Sequence, residues 1–347
     1  MRVSLLIILL FFHLFKLTAQ TETSLKILDS VTINEWLVEN KVPAIAIGTI
    51  EKGKLNPVRV LGKIQGDIPA STQTIFDVAS LTKTITTLLT LKLVDANSWK
   101  LDEPLSHYWI DPDIKNNPLH NKITTRHVLS HRTGFKNWRR MNKDKKLTFD
   151  FEPGTKFQYS GEGFEYLRKA LEEKFDISFQ KLTDSLVFKP NKMNNSQLTW
   201  SESIDSLNFA GTHDKYGNEY VYKKSSKANA ADNLLTTIGD FSNLGLNIIN
   251  QQYLDQNTYR EMIIQHSSVR DGISFGLGWI IFNDLSNNEY ALFNAGSDQG
   301  INALIVLLPK SKRGLIVMTN GDNGRALAMK IIGETLGEIG KEILGRF

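Results

Sequence analysis

Two β-rich stretches far apart in this chain constrain its fold more than any other feature. The first, from about 42 to 62, alternates through Val42-Pro43-Ala44-Ile45-Ala46-Ile47-Gly48-Thr49-Ile50. It turns at Glu51-Lys52-Gly53-Lys54 and returns through Val58-Arg59-Val60-Leu61-Gly62. The second, from about 273 to 320, holds four strand-like runs: Phe275 to Phe282, Tyr290 to Asn294, Ile301 to Leu308 and Gly314 to Thr319. Asp, Asn, Gly, Pro and Lys turns join them. Residues from about 80 to 250 read as helices and loops. Helical spacing marks both ends of the chain, through Leu25, Ile27, Leu28, Ile33, Trp36 and Leu37, and again from Arg325 to Leu344. The expected fold class is α+β: an antiparallel sheet built from both termini and flanked by helices, with an inserted mostly helical region.

The first residues predict a secretory signal peptide over 1–19. Arg2 precedes an apolar run from Leu5 to Phe15, and Leu17-Thr18-Ala19 forms a small-residue cleavage site before Gln20. The run is shorter than the ~20 residues that span a bilayer, and no later stretch is apolar enough to cross one. One domain is expected over 20–347, in a secreted or periplasmic protein. Loss of Arg2 and Lys16 with the leader lowers the formal charge from +4 to +2. A nearly neutral chain argues against nucleic acid or an anionic membrane surface as the main partner. The sequence has no cysteine, which excludes disulfides and thiolate chemistry. A chain of this length buries an ample core without them.

The chemistry-bearing stretch is Val78-Ala79-Ser80-Leu81-Thr82-Lys83-Thr84. It predicts a helix starting at Ser80, with Ile85, Leu88, Leu89 and Leu93 on its buried face. Positions three apart lie one turn apart on one face, so Lys83 falls beside Ser80. A serine hydroxyl needs a base, and a lysine serves when its surroundings favour the neutral amine. The backbone N–H of Ser80 can face a developing oxyanion. Ser-x-x-Lys alone also arises as an N-cap with an exposed lysine. Further on, Ile123 to Gly134 reads as a helix capped at Thr124 or Thr125 and stopped by Gly134. His127 and His131 stand four apart within it. With no third ligand cluster and no acidic residue between them, no metal is expected.

Several segments together resemble the penicillin-recognising serine hydrolases, in particular the class C β-lactamase-like branch. Ser80-Leu81-Thr82-Lys83 resembles the nucleophile motif. Ile123 to Gly134 is similar to a Thr-x-Arg-His-Leu-Leu-x-His-x-Ser/Thr-Gly segment. Phe151-Glu152-Pro153-Gly154 with Tyr159-Ser160-Gly161 resembles the Pro-Gly and Tyr-x-Asn segment. Asn229 to Phe241 looks like the helix beside the cleft, Phe275 to Trp279 like a Gly-x-Gly-Trp strand, and Asn294-Ala295-Gly296 with Gly300 like Lys/His-x-Gly-x-x-x-Gly. Order and spacing agree along nearly all of residues 20–347.

The resemblance implies that Ser80 is the acylated nucleophile, Lys83 its base or proton shuttle, and Tyr159 the second acid–base group. The oxyanion site would be the N–H groups of Ser80 and Ser297. Arg126, His127 and His131 would hold the Tyr159 loop. Asn294, Gly296 and Gly161 would line the substrate site. Two departures bear on the substrate. Gly161 stands where Asn usually binds an acylamino group, and Asn294 where Lys or His usually meets a carboxylate. The expected function is a cofactor-free, metal-free serine hydrolase acting on an ester or small amide, peptidoglycan-derived or β-lactam-like substrates included. The alternative is a catalytically weak or inactive member that binds peptidoglycan fragments or a protein partner. The expected partner is a small-molecule or peptide-like substrate.

Overall fold

A computed structural model describes residues 25–202, 204 and 206–347; the leader expected over 1–19 lies outside them. Helix α1 (Ser30–Asn40) opens at Asp29, whose carboxylate accepts the Thr32 N–H at 2.9 Å. That satisfies one of the donors a first turn leaves unpaired. The helix starts later than the spacing from Leu25 suggests. Leu25 and Leu28 are buried in the core ahead of it.

Next come β1 (Ala44–Glu51), β2 (Lys54–Leu55), β3 (Arg59–Gly62) and β4 (Phe76–Asp77), then α2 (Thr82–Asp95), α3 (Thr125–Leu129), α4 (Gly161–Phe175) and α5 (Phe179–Thr183). The short strand β5 (Leu235–Thr236) precedes α6 (Ile238–Ile249) and α7 (Gln256–Ile263). The chain ends in β6 (Ser267–Arg270), β7 (Ile273–Phe275), β8 (Ile280–Leu285), β9 (Glu289–Asp298), β10 (Ile301–Leu308), β11 (Arg313–Thr319) and α8 (Gly324–Gly345).

The main sheet is antiparallel, in the order β2-β1-β11-β10-β9-β8-β7-β6, with β3 also on β1. Strands β1 and β11 join the two ends of the chain, with Ile45 opposite Thr319 and Ile50 opposite Gly314. The fold is α+β, as the two separated β-rich stretches require. Alternate residues of a strand face opposite sides. Ile45, Ile47, Leu304, Val306, Leu315 and Val317 form one core with α1 and α8. Ala46, Ile50, Ile305, Leu307, Ile316 and Met318 join the helical region on the other face. Helix α6 packs close there because Gly48 has no side chain: a Cβ would lie 2.0 Å from Ser242 Oγ.

Four expectations need correction. Helix α2 is not one-sided, since every residue from Thr82 to Leu91 is buried. Two of its threonines find partners inside: Thr86 Oγ1 donates to the Ala230 carbonyl at 2.6 Å and Thr90 Oγ1 to that of Thr86 at 2.7 Å. The helix expected to Gly134 ends at Leu129, and His131 takes a left-handed φ of 54°. Residues 229–237 are not helical; α6 begins at Ile238 with Thr237 as its cap. The strand expected over Phe275 to Phe282 is broken between Phe275 and Ile280. Gly278 turns there at φ 75°, against Thr87 of α2. Among the described residues no helix is long and apolar enough to cross a membrane.

Candidate active site

Ser80 lies in a 3₁₀ turn, Ala79–Leu81, and α2 starts at Thr82, two residues beyond the serine. The turn is clamped to the segment before α6. Val78 N–H donates to the Leu234 carbonyl at 3.1 Å. Thr82 Oγ1 donates to the Ala79 carbonyl at 2.6 Å and accepts the Leu234 N–H at 2.9 Å. These bonds leave Ser80 half-buried at the top of a buried helix.

Lys83, 2% exposed, points back along α2. Its Nζ donates to Ser80 Oγ at 3.0 Å and to the Ala231 carbonyl at 2.8 Å. It also stands 4.9 Å from the centre of the Tyr159 ring. The amine is therefore close to both the serine oxygen and the Tyr159 ring. The sequence offered no signal for the Ala231 carbonyl, which comes from the segment expected to be helical.

Tyr159 is 36% exposed, and the residues around it are fixed. The His131 carbonyl accepts the Gln158 N–H at 2.8 Å, and His131 Nδ1 accepts that of Ser160 at 3.0 Å. The imidazole faces the Tyr159 ring, with centroids 4.3 Å apart. Its proton is assigned to Nε2 because Nδ1 is an acceptor. Burial, then the Lys83 cation, holds the His131 pKa well below the ordinary 6.5. Ser160 caps α4 by accepting the Gly163 N–H at 3.0 Å. His127 lies further from Tyr159, its Nδ1 3.0 Å from the Lys122 carbonyl oxygen and its Nε2 against Gly154. Arg126 is bound to Asp102 and Glu261. The two histidines thus serve different contacts.

Strand β9 crosses over the serine turn at Gly296. A Cβ there would lie 1.9 Å from the Val78 carbonyl oxygen and 2.8 Å from Ser80 N, so only glycine allows the approach. Ser297 follows on the exposed end of the strand, and its Oγ donates to Asn302 Oδ1 at 3.0 Å.

Asn294 and Gly161 sit differently from what the resemblance implies. The Asn294 side chain is buried, and its Nδ2 donates to Thr84 Oγ1 at 2.9 Å and to the Gly278 carbonyl at 3.1 Å. Its amide is engaged below the cleft, one residue along α2 from Lys83. At Gly161 the neighbouring space holds an indole: a Cβ would lie 2.9 Å from Cη2 and Cζ2 of Trp138. The Gly161 N–H donates to Asn137 Oδ1 at 2.8 Å.

Carboxylates gather near the serine as well. Burial pushes the Asp77 carboxyl up to about 7, with Asp232 adding to the rise. Burial also raises Asp232, and the Lys83 cation opposes that rise. Neither residue was marked by the sequence, where Asp77 looks like any polar residue at a strand end.

The family model described as Beta-lactamase matches residues 27–332. Protein flp of Staphylococcus aureus (strain COL) is 22% identical over 328 residues, covering 86% of this chain. The chain spans only 64% of that relative's length. The octameric penicillin-binding protein homologue from Pyrococcus abyssi has the same fold, with a TM-score of 0.73 and 23% identity over 84% of this chain and 73% of that one. A penicillin-binding protein from Bacillus halodurans superposes with a TM-score of 0.72 and 20% identity, over 85% of this chain and 99% of that one. The family match over most of the sequence, on a fold shared with these penicillin-binding proteins, makes this chain a member of the beta-lactamase family.

Proposed function

We propose that this protein is a serine hydrolase that forms an acyl-enzyme at Ser80 and releases it to water. The observation that carries this reading is the 3.0 Å contact between Lys83 Nζ and Ser80 Oγ, made by a lysine that is itself buried. Ser80 Oγ attacks the carbonyl carbon of an ester or small amide while its proton passes to Lys83, which takes this role in its neutral amine form. The carbonyl oxygen gains the negative charge and is received by the N–H groups of Ser80 and Ser297. Collapse breaks the bond to the leaving group, which takes a proton relayed through Lys83 and Tyr159. Water then attacks the acyl carbon, its proton returns by the same pair, and Ser80 is restored. The leader read from residues 1–19 supports action outside the cytoplasm.

A second reading has one observation in its favour. The two side chains that would read a peptide-like anionic substrate are missing from the cleft, because Gly161 has none and the Asn294 amide is engaged inside. A non-catalytic member that binds peptidoglycan fragments or a protein partner fits that loss. Ser80, Lys83 and Tyr159 together favour the enzyme, since a binder needs no such triad.

Labelling with a fluorophosphonate, followed by mapping of the adduct, tests the choice. Wild type is expected to carry the label on Ser80, and Ser80→Ala to lose both labelling and turnover of p-nitrophenyl acetate while its Tm stays nearly unchanged. Lys83→Ala is expected to lose roughly 10²-fold or more in kcat, the scale for removing a general base. Tyr159→Phe removes only the hydroxyl and tests proton relay. Unlabelled wild type, or full activity in Ser80→Ala, overturns the enzyme reading.

A further inference from the structure

Ala79, directly before the nucleophile, has a φ of 45°. A left-handed backbone is unfavourable for a residue with a Cβ by about 1 kcal/mol or more, and persists only where its surroundings enforce it. The enforcing contact is visible. Asp77 Oδ1 accepts the Ala79 N–H at 2.8 Å. The other oxygen, Oδ2, accepts the Tyr222 hydroxyl at 2.7 Å. Asp77 is buried and sits at the end of β4, opposite Leu235 of β5. Tyr222 is held in turn by aromatic neighbours, with ring centroids 4.5 Å from Phe209 and 5.6 Å from Trp200. The mechanism proposed above uses neither side chain.

We propose that Asp77, oriented by Tyr222, is a positioning residue that locks Ala79 in the left-handed conformation and thereby aims Ser80. The lock acts on two reacting groups together. Rotating the Ala79 peptide out of this conformation would swing Ser80 Oγ away from Lys83 and turn the Ser80 N–H away from the carbonyl oxygen. Both groups move because both belong to the residue that follows the strained one. Burial of a carboxylate is unfavourable unless hydrogen bonds compensate for it. The two donors offset part of that cost, and they fix the carboxylate plane at the same time. Asp77 touches no reacting atom, so its effect falls on orientation alone. This inference rests on Ser80 being the nucleophile.

The experiment compares fluorophosphonate labelling rates at Ser80 and steady-state hydrolysis of p-nitrophenyl acetate in a set of full-length variants. Asp77→Ala removes both hydrogen bonds. Its kcat and labelling rate are expected to fall together by about 10- to 100-fold, the range for small misplacements of a reacting group, while KM changes less than about threefold. Asp77→Asn keeps an acceptor for the Ala79 N–H and a partner for the Tyr222 hydroxyl, so it should retain most activity. Ala79→Gly relieves the conformational penalty. Adding it to Asp77→Ala should therefore recover kcat by several fold, which a merely structural role for Asp77 would not produce. Tyr222→Phe, which deletes one hydroxyl, provides a second test should Asp77→Ala fail to fold; a kcat loss of about 3- to 10-fold at constant KM is expected. Wild-type rates in either Asp77→Ala or Tyr222→Phe overturn the proposal, as does a folded Asp77→Ala whose loss Ala79→Gly does not reduce. A wild type that takes no label on Ser80 overturns the nucleophile assignment instead, so the two failures are distinct.

Discussion

His131 Nδ1 accepts the backbone N–H of Ser160 at 3.0 Å, one residue past Tyr159. The same imidazole lies against the Tyr159 ring and also meets Phe164 and Phe275, at centroid distances of 5.4 and 4.8 Å. A histidine that looked like half of a metal pair thus organises Tyr159, the tyrosine proposed for proton relay.

The neutral state of His131 has a consequence for stability. Its native pKa lies well below 6.5, first because of burial and then because of Lys83. The unfolded chain therefore binds this proton first as pH falls below about 6.5. Stability from this group is complete above that value and is lost as pH drops through the window below it. His131→Asn keeps an acceptor for Ser160 and cannot titrate. We expect it to be less stable than wild type at pH 8 by about 1–3 kcal/mol, through lost ring packing. The gap should narrow by pH 5. Urea unfolding at pH 8, 6.5 and 5 measures it, and a constant gap would show that His131 is not kept neutral.

Gly161 and Trp138 should be coupled. Restoring the family's usual asparagine by Gly161→Asn drives a Cβ within 2.9 Å of the indole. Overpacking of this kind is unfavourable by about 1–3 kcal/mol. Trp138→Ala removes the obstacle. In a cycle of the two single variants and the double variant, the double should be more stable than the sum of the singles by about 1 kcal/mol or more. Additive Tm shifts would show that the indole yields freely.

Asn294 should matter to stability more than to selectivity. Its amide donates to Thr84 and to the Gly278 carbonyl in a buried setting. Asn294→Ala leaves those acceptors unpaired, at about 1–3 kcal/mol. We expect the ratio of kcat/KM for a neutral ester and its carboxylated analogue to stay unchanged in this variant. A shifted ratio would show that the amide reaches substrate.

The serine and its lysine were legible in the sequence because a helix fixes their separation locally. The same holds for the sheet, since the alternating first segment and the successive strand-like runs near the other end both needed strand partners, and pairing β1 with β11 satisfied both. Gly296 was marked by its motif, and the structure supplies the physical reason in the close approach to Ser80 N.

What the sequence could not decide was every contact made across the chain. The burial of α2 on all sides was hidden because threonines look polar, while Thr82 and Thr90 satisfy their hydroxyls on carbonyls three and four residues back and Thr86 bonds the Ala230 carbonyl, which only folding brings near. Helix α3 ended early because His131 turns left-handed to reach Ser160, a partner 29 residues away. The non-helical residues 229–237 supply the Ala231 and Leu234 groups that hold Lys83 and Thr82, across separations of about 150 residues. The strain at Ala79 arises from an aspartate two residues earlier and a tyrosine 145 residues from that aspartate. Local spacing is set by backbone geometry and can be read from sequence. The direction of a buried amide or carboxylate is set by which donors the packed chain delivers to it, and that is known only once the chain has closed on itself.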